Sequence, residues 1–332
     1  MGVIEAHAVS KRYRGTLALD RLELDIAPGE VYGFLGPNGA GKTTTIRLLL
    51  GLHRPSSGVV RVAGRDAWAD PVAAHRHCAY VASEAILWPA LTGAETFAYL
   101  EQLRGGCDRA YREVLIERFD FDPDKKVRAL SKGNRQKVQL IAAFATRAEI
   151  LILDEPTSGL DPLMEAAFRE TVGEARARGQ TVFLSSHVLS EVEALCDRIG
   201  ILRAGRLIDE GTLEQLRHLS ARTVEVNFAE SGVELAGLRD LPGVEIAEFA
   251  DHHAVLEVRG AMGPLLAALT RLPVTTIDSR EPSLEEVFLV HYHDGGAARA
   301  GRSADHAVPR DGTVAPDDRA PPAGTVRPRT PR

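Results

Sequence analysis

Apolar and polar positions follow one another along the first two hundred residues in a way that predicts an α/β chain. Residues 4–10 and 17–26 read as strands. In the second, Leu22, Leu24 and Ile26 alternate with Glu23 and Asp25, the period of a half-buried strand. Pro28-Gly29 marks a turn, and the apolar run 31–35 leads into a glycine-rich loop. Residues 43–50 continue as a helix that stops near Gly51 and Pro55. A further strand is expected at 59–62. Helical patterns cover 91–119, broken at Gly105-Gly106, and 131–147. The unbroken apolar run 150–153 is expected to be a parallel strand buried on both faces. A helix over 164–178, a strand over 181–185, a helix over 188–196 and a hairpin of 199–203 with 207–210 around Ala204-Gly205 complete this part.

A second pattern starts near Ala221. Strands are expected at 223–228, 244–249, 254–258 and 274–278, with a helix over 264–272. Ser283 followed by Glu286 is a capping-box pattern opening a helix over 283–290. From Asp294 onward large apolar residues vanish and Pro, Gly, Ala, Arg and Asp dominate, the composition of a disordered tail. The organisation read from this is a cassette over 1–217, a small α+β accessory or regulatory domain over 218–293 and a tail over 294–332.

Composition narrows the function. The chain has 332 residues, 44% hydrophobic and 26% charged, enough for normal cores in about two domains. A net charge of −6 gives no electrostatic footprint for nucleic acid. Cys78, Cys107 and Cys196 are widely spaced and form no C-x-x-C pair, which argues against a disulfide framework or a zinc site. No run approaches the ~18 apolar residues that cross a bilayer, and residues 1–14 lack a signal-peptide core. A function at a membrane then requires docking onto a partner that spans it.

The chemistry lies in two motifs. Gly36-Pro37-Asn38-Gly39-Ala40-Gly41-Lys42-Thr43, followed by Thr44, fits G-x-x-x-x-G-K-[ST] between an apolar run and a helix, the context of a P-loop. Glycines let backbone N–H groups close around phosphate oxygens, and the helix N-terminus adds partial positive charge. Lys42 is expected to bring a full charge to the β- and γ-phosphates, and the Thr43 hydroxyl can ligate Mg²⁺. Asp154 and Glu155 follow the buried run 150–153, at the carboxyl end of a strand, where ligands bind in open α/β sheets. Asp154 is expected to hold Mg²⁺ through water, and Glu155 to orient and polarise the attacking water.

With these motifs in place the chain resembles the nucleotide-binding domain of ATP-binding cassette (ABC) transporters. Leu130-Ser131-Lys132-Gly133-Asn134-Arg135-Gln136 resembles the family's signature motif, with Lys132 and Asn134 as departures. The resemblance implies the ABC fold: a RecA-like P-loop core, an antiparallel β subdomain and a helical subdomain. It implies ATP and Mg²⁺ as ligands and Tyr13 stacking on adenine. Ser131 and Gly133 would face the γ-phosphate bound by an opposite subunit, and Asp161, in Ser158-Gly159-Leu160-Asp161, would lie in the loop that contacts the partner ATPase. His187 is implied as the switch histidine. One position departs: Ser83 stands where the family's Q-loop glutamine is usual and is taken as a metal-site residue, with Glu84 beside it as the alternative donor. Arg280 to Phe288 resembles the ending of drug and antibiotic exporter ATPases of the daunorubicin-resistance type, and Ser131 to Lys137 resembles ATPases paired with actinobacterial polyketide-antibiotic exporters.

What the resemblance implies is an ATPase that powers export from the cytoplasmic face of the membrane. It would work as a head-to-tail pair, homo- or heterodimeric, on a separate transmembrane permease, with segment 91–119 transmitting movement. Two rivals stay open at this point: a cassette ATPase acting on ribosomes or DNA, and a non-hydrolysing regulatory cassette, whose only support is Ser83.

Overall fold

The computed structural model describes residues 2–218 and 222–280. The chain opens with β1 (Ile4–Tyr13), β2 (Thr16–Ile26), β3 (Val31–Leu35), α1 (Lys42–Leu49), β4 (Ser57–Val62), β5 (Arg65–Asp66), α2 (Pro71–Arg76) and β6 (Cys78–Val81). A helical stretch follows: α3 (Gly93–Arg104), α4 (Arg109–Arg118) and α5 (Lys132–Ala145). Then come β7 (Ile150–Asp154), α6 (Pro162–Ala177), β8 (Thr181–Ser186), α7 (Leu189–Leu195), β9 (Arg198–Arg203), β10 (Arg206–Gly211) and α8 (Leu213–His218). The expected break at Gly105-Gly106 falls between α3 and α4, with Gly105 in the left-handed conformation as C-cap.

A six-stranded sheet in the order β10-β9-β3-β8-β7-β6 forms the centre. It is parallel from β9 to β6 and closed by antiparallel β10. Its apolar strands are divided residue by residue between two cores. Tyr32, Phe34, Ile150, Ile152 and Phe183 face one side, with Ile46, Leu48 and Leu49 of α1 and the inner face of the antiparallel sheet β2-β1-β4-β5. Leu151, Leu153, Val182 and Leu184 face the other, with Leu140 and Phe144 of α5 and Phe168 and Val172 of α6. This two-sided burial is why the runs at 31–35, 150–154 and 181–186 carry no polar alternation. Because β3, β7 and β8 are neighbours and parallel, the loops that follow them emerge at one edge of the sheet.

Residues 222–280 form a separate antiparallel sheet with its own core. β11 (Arg222–Phe228), α9 (Ala236–Arg239), β12 (Val244–Ala250), β13 (His253–Val258), α10 (Gly263–Leu269) and β14 (Val274–Arg280) follow a βαββαβ path with strand order β12-β13-β11-β14. This is the ferredoxin-like split βαβ arrangement. Val224, Val226 and Leu256 pack with Leu238, Leu265 and Leu269 from the two helices. The expected helix over 283–290, the exporter-like motif from 281 onward and the tail over 294–332 lie outside the described residues.

Candidate active site

The loop after β3 is shaped by close approach to the β9–β10 hairpin. A Cβ on Gly36 would stand 2.5 Å from the Leu202 carbonyl oxygen. Gly41 holds φ at +119°, and a side chain there would meet Leu19 Cδ2 at 2.8 Å. The Ala40 carbonyl accepts from Gly205 N–H at 2.8 Å, so the hairpin turn braces the loop from outside. Lys42 opens α1 and is buried; its Nζ donates to the Gly36 carbonyl at 2.6 Å. Thr43 and Thr44 share the first turn of α1, Thr43 exposed and Thr44 half-buried, while Pro37 is half-buried and Asn38 and Gly39 are exposed.

Glu155 joins this loop to the next two. Its Oε1 lies 3.5 Å from Lys42 Nζ and 3.3 Å from His187 Nδ1. Its backbone sits at φ 47°, the left-handed region that a glutamate rarely adopts, and is fixed there from both sides. Glu155 N–H donates to the Ser185 carbonyl at 3.0 Å, and its own carbonyl accepts from Ser158 N–H at 3.1 Å. The P-loop lysine, the acid after β7 and the histidine after β8 therefore meet on one carboxylate, in the order that the strand neighbours dictate.

Asp154, at the end of β7, is buried. Its Oδ1 accepts from the Ser185 hydroxyl at 2.6 Å, and its Oδ2 is buried without a hydrogen-bond partner. Burial raises its carboxyl above the usual carboxylate range and the Glu155 charge adds to this, while the Ser185 hydroxyl and Lys42 pull it down. An orphaned buried carboxylate oxygen within electrostatic reach of the P-loop lysine fits the hard oxygen ligands magnesium takes.

The other sequence candidates lie elsewhere. Ser131 caps α5, its Oγ accepting from Asn134 N–H at 3.2 Å, and is exposed. Gly133 packs against the loop after β7 in its own chain: a Cβ there would stand 2.3 Å from the Gly159 carbonyl oxygen. Lys132, one of the two departures from the signature motif, donates from Nζ to the Ser158 hydroxyl at 2.8 Å and staples the signature turn to that loop. Asp161 caps α6, accepting from Leu163 and Met164 N–H. Tyr13 ends β1, with its hydroxyl 2.5 Å from His53 Nδ1 and Lys11 Nζ 4.9 Å from its ring centroid. Ser83 is half-buried just beyond β6.

Two glutamines hold that last loop: Gln136, which ends the signature stretch, and Gln139, which the motif reading passed over. The Gln139 side chain accepts from Ala82 N–H at 3.2 Å and donates to the Ala82 carbonyl at 3.3 Å, and Gln136 donates to the same carbonyl at 3.4 Å. The residue before Ser83 is thus tied to the helix that begins at the signature motif. Their spacing of three on one helix puts both on one face, which was visible; their target was not.

Comparison with known proteins agrees with this geometry. The ABC transporter family model matches residues 19–158, and a model of the C-terminal domain of DrrA1-3-like ATP-binding proteins matches residues 211–292. The daunorubicin resistance ATP-binding protein DrrA3 of Streptomyces coeruleorubidus is 36% identical over 298 residues, 86% of this chain and 94% of that protein. The bacitracin transport ATP-binding protein BcrA of Enterococcus faecalis is 29% identical over 89% of this chain and 98% of its own length. Among solved structures, an ATP-binding subunit of an ABC transporter superposes with a TM-score of 0.62 at 31% identity, covering 65% of this chain and 92% of that one. A dimeric ATP-binding cassette bound to ADP and Pi shares the fold at a TM-score of 0.58 and 23% identity. With its phosphate loop, acid and histidine assembled and with relatives matched along almost their full length, this chain belongs to the ATP-binding proteins of ABC transporters and is an ATPase.

Proposed function

We propose that this chain hydrolyses ATP as one half of a head-to-tail pair and thereby drives export of a drug- or antibiotic-like small molecule through a separate permease, from the cytoplasmic face of the membrane. The observation that carries the reading is the convergence of Lys42 and His187 on Glu155. The chain is read as a cassette over 1–217, an accessory domain over 218–293 and a tail over 294–332.

In this scheme the P-loop amides of residues 36–44 and Lys42 hold the phosphates. Thr43 and Asp154 would hold Mg²⁺, which supplies charge neutralisation on the phosphate oxygens. Ser83 remains a proposed outer contributor, on a loop whose position Gln139 sets. Glu155 takes the proton of the attacking water, and His187 bears on the same carboxylate and faces the γ-phosphate. Tyr13 is assigned to the adenine. Ser131 and Gly133 sit at an exposed helix start joined to residues 158–159 of their own chain, which supports their serving a partner's nucleotide, with Asp161 alongside. Nucleotide then favours the closed pair by differential affinity, and hydrolysis removes the preference.

Gly133→Ala tests the shared site. The new methyl must displace the backbone at Gly159, so the signature turn and the 158–161 loop lose their common register. Turnover is expected to fall at least about tenfold, as for small misplacements near reacting groups, with ATP affinity of the single chain unchanged. Wild-type turnover in this variant would remove the signature motif from the reaction.

An apolar groove of about 230 Å³ supports the permease assignment. It lies between the 80–88 segment and α3–α5, lined by Tyr80, Ile86, Trp88, Phe97 and Gln139. Ile86 is 88% exposed at its rim. Among the described residues no helix is long and apolar enough to cross a membrane, so transport requires a spanning partner. Ile86→Asp and Trp88→Asp are expected to abolish co-purification with a multi-span permease from detergent-solubilised membranes while leaving ATP binding intact. Undiminished co-purification would move the docking surface away from this groove. Loss of cellular resistance to an anthracycline in the same variants tests the export role.

A further inference from the structure

Behind His187 lies a buried carboxylate that the hydrolytic scheme does not use. Glu191 stands in the first turn of α7 and is 8% exposed. Its Oε2 accepts from the Ser186 hydroxyl at 2.6 Å, and the same Ser186 oxygen accepts from Val188 N–H at 2.9 Å. The two residues that flank His187 are thereby gathered onto one acidic side chain. The helix that carries Glu191 is itself fixed: Val192 is fully buried, and α7 packs so closely on β3 that a Cβ at Gly33 would stand 2.6 Å from Val192 Cγ1.

Burial raises the Glu191 carboxyl above the usual range; the Ser186 hydroxyl on Oε2 opposes this, as do the nearby Thr157 side chain and His187, and the Glu165 charge adds to the rise. The second oxygen, Oε1, is buried without a hydrogen-bond partner. A buried carboxylate with an unmatched oxygen is costly by comparison with an apolar side chain of the same volume. The one hydrogen bond its carboxylate accepts comes from the residue immediately before His187.

We propose that Glu191 is a positioning residue for hydrolysis: through Ser186 it holds the 186–188 turn against the start of α7, so that the His187 ring is presented to Glu155. It touches neither nucleotide nor water; it acts through Ser186. The inference rests on the reading of Glu155 and His187 as the hydrolytic pair.

The test uses the full-length protein. Glu191→Ala is expected to lower turnover at saturating ATP about tenfold, in line with small displacements of catalytic groups, with the Kd for ATP unchanged. Glu191→Gln keeps an acceptor for the Ser186 hydroxyl and is expected to retain most of the activity. Ser186→Ala should match Glu191→Ala, and the double variant should be no worse than either, the non-additivity of one shared interaction. A role in stability alone would lower the melting temperature without splitting turnover from affinity. Should Glu191→Ala fail to fold, Ser186→Ala reads the same tie from its other end.

Hydrogen exchange gives a readout independent of turnover. The Val188 amide should exchange faster in Glu191→Ala and at the wild-type rate in Glu191→Gln. Wild-type turnover in Glu191→Ala, or parallel loss of affinity and turnover, or an unchanged Val188 amide overturns the proposal. Glu155→Gln run alongside tells the two failures apart: if it hydrolyses normally, the hydrolytic pair is misassigned, whereas the Val188 amide still reports whether Glu191 holds the turn.

Discussion

Glu155→Gln is expected to bind ATP as tightly as the wild type and to hydrolyse it about 10²–10⁴-fold more slowly, the range that positioned general bases contribute. The substitution keeps the size of the side chain and leaves the backbone ties to Ser185 and Ser158 in place. It removes only the negative charge on which Lys42 and His187 converge. Affinity holds because the P-loop grips the phosphates through its amides and Lys42, which no longer has a competing carboxylate at 3.5 Å. Slow hydrolysis with retained binding should also trap the closed pair, visible as ATP-dependent dimer in sedimentation. Single-turnover phosphate release compared with wild type is the measurement. A variant that turns over at the normal rate would falsify the assignment of the base, and another acid would have to be sought near Lys42.

The left-handed backbone at Glu155 makes a substitution by alanine less informative than one by glutamine. Alanine at φ 47° keeps the strain and loses the side chain that spans the two loops. Its effect would combine lost chemistry with relaxation of residues 154–158. Glutamine changes the charge and little else, so its ratio of turnover to affinity reports directly on proton transfer.

Much of the frame was legible in the sequence because it depends on local pattern. The runs at 31–35 and 150–153 lack polar alternation since both faces of a parallel strand are covered, and each is followed by the residues that meet at the site. The Gly105-Gly106 break and the Ala204-Gly205 turn carried their own punctuation. β6 was not read as a strand: it has four residues, lies at the sheet edge and exposes Tyr80, so neither alternation nor a long apolar run marks it. α2, six residues long, and α9, four residues long, are too short to show a helical period.

The site divided along the same line. Lys42, Asp154 and Glu155 were singled out because motif and strand context coincide. Gln139 and Glu191 were not, since their meaning lies in partners that only the folded backbone sets in place: Ala82, 57 positions away, and the Ser186 hydroxyl at the end of β8. Lys132 is instructive in the same way. As a departure from a motif it signalled nothing; in the fold it ties the start of α5 to Ser158 and so joins the signature turn to the loop after β7.

Lys42→Ala should strike binding itself. The ammonium is buried and ringed by oxygens, the Gly36 carbonyl at 2.6 Å, the Pro37 carbonyl at 3.4 Å and Glu155 at 3.5 Å, in a loop whose glycines leave no room for adjustment at Gly36 or Gly41. A phosphate oxygen entering this loop meets the same cation. Removing one partner of a buried, hydrogen-bonded charge pair costs about 2–5 kcal/mol, which corresponds to roughly 30- to 4,000-fold in the Kd for ATP. Lys42→Arg is not expected to rescue it, because the planar guanidinium needs more width than the single ammonium hydrogen bond to Gly36 provides. The pattern across the two variants is the decisive part: Glu155→Gln keeps affinity and loses turnover, whereas Lys42→Ala loses both, with affinity lost first. Titration of the purified chain with a fluorescent ATP analogue separates them, and equal affinity in Lys42→Ala and wild type would mean that the phosphates bind somewhere other than the loop between β3 and α1.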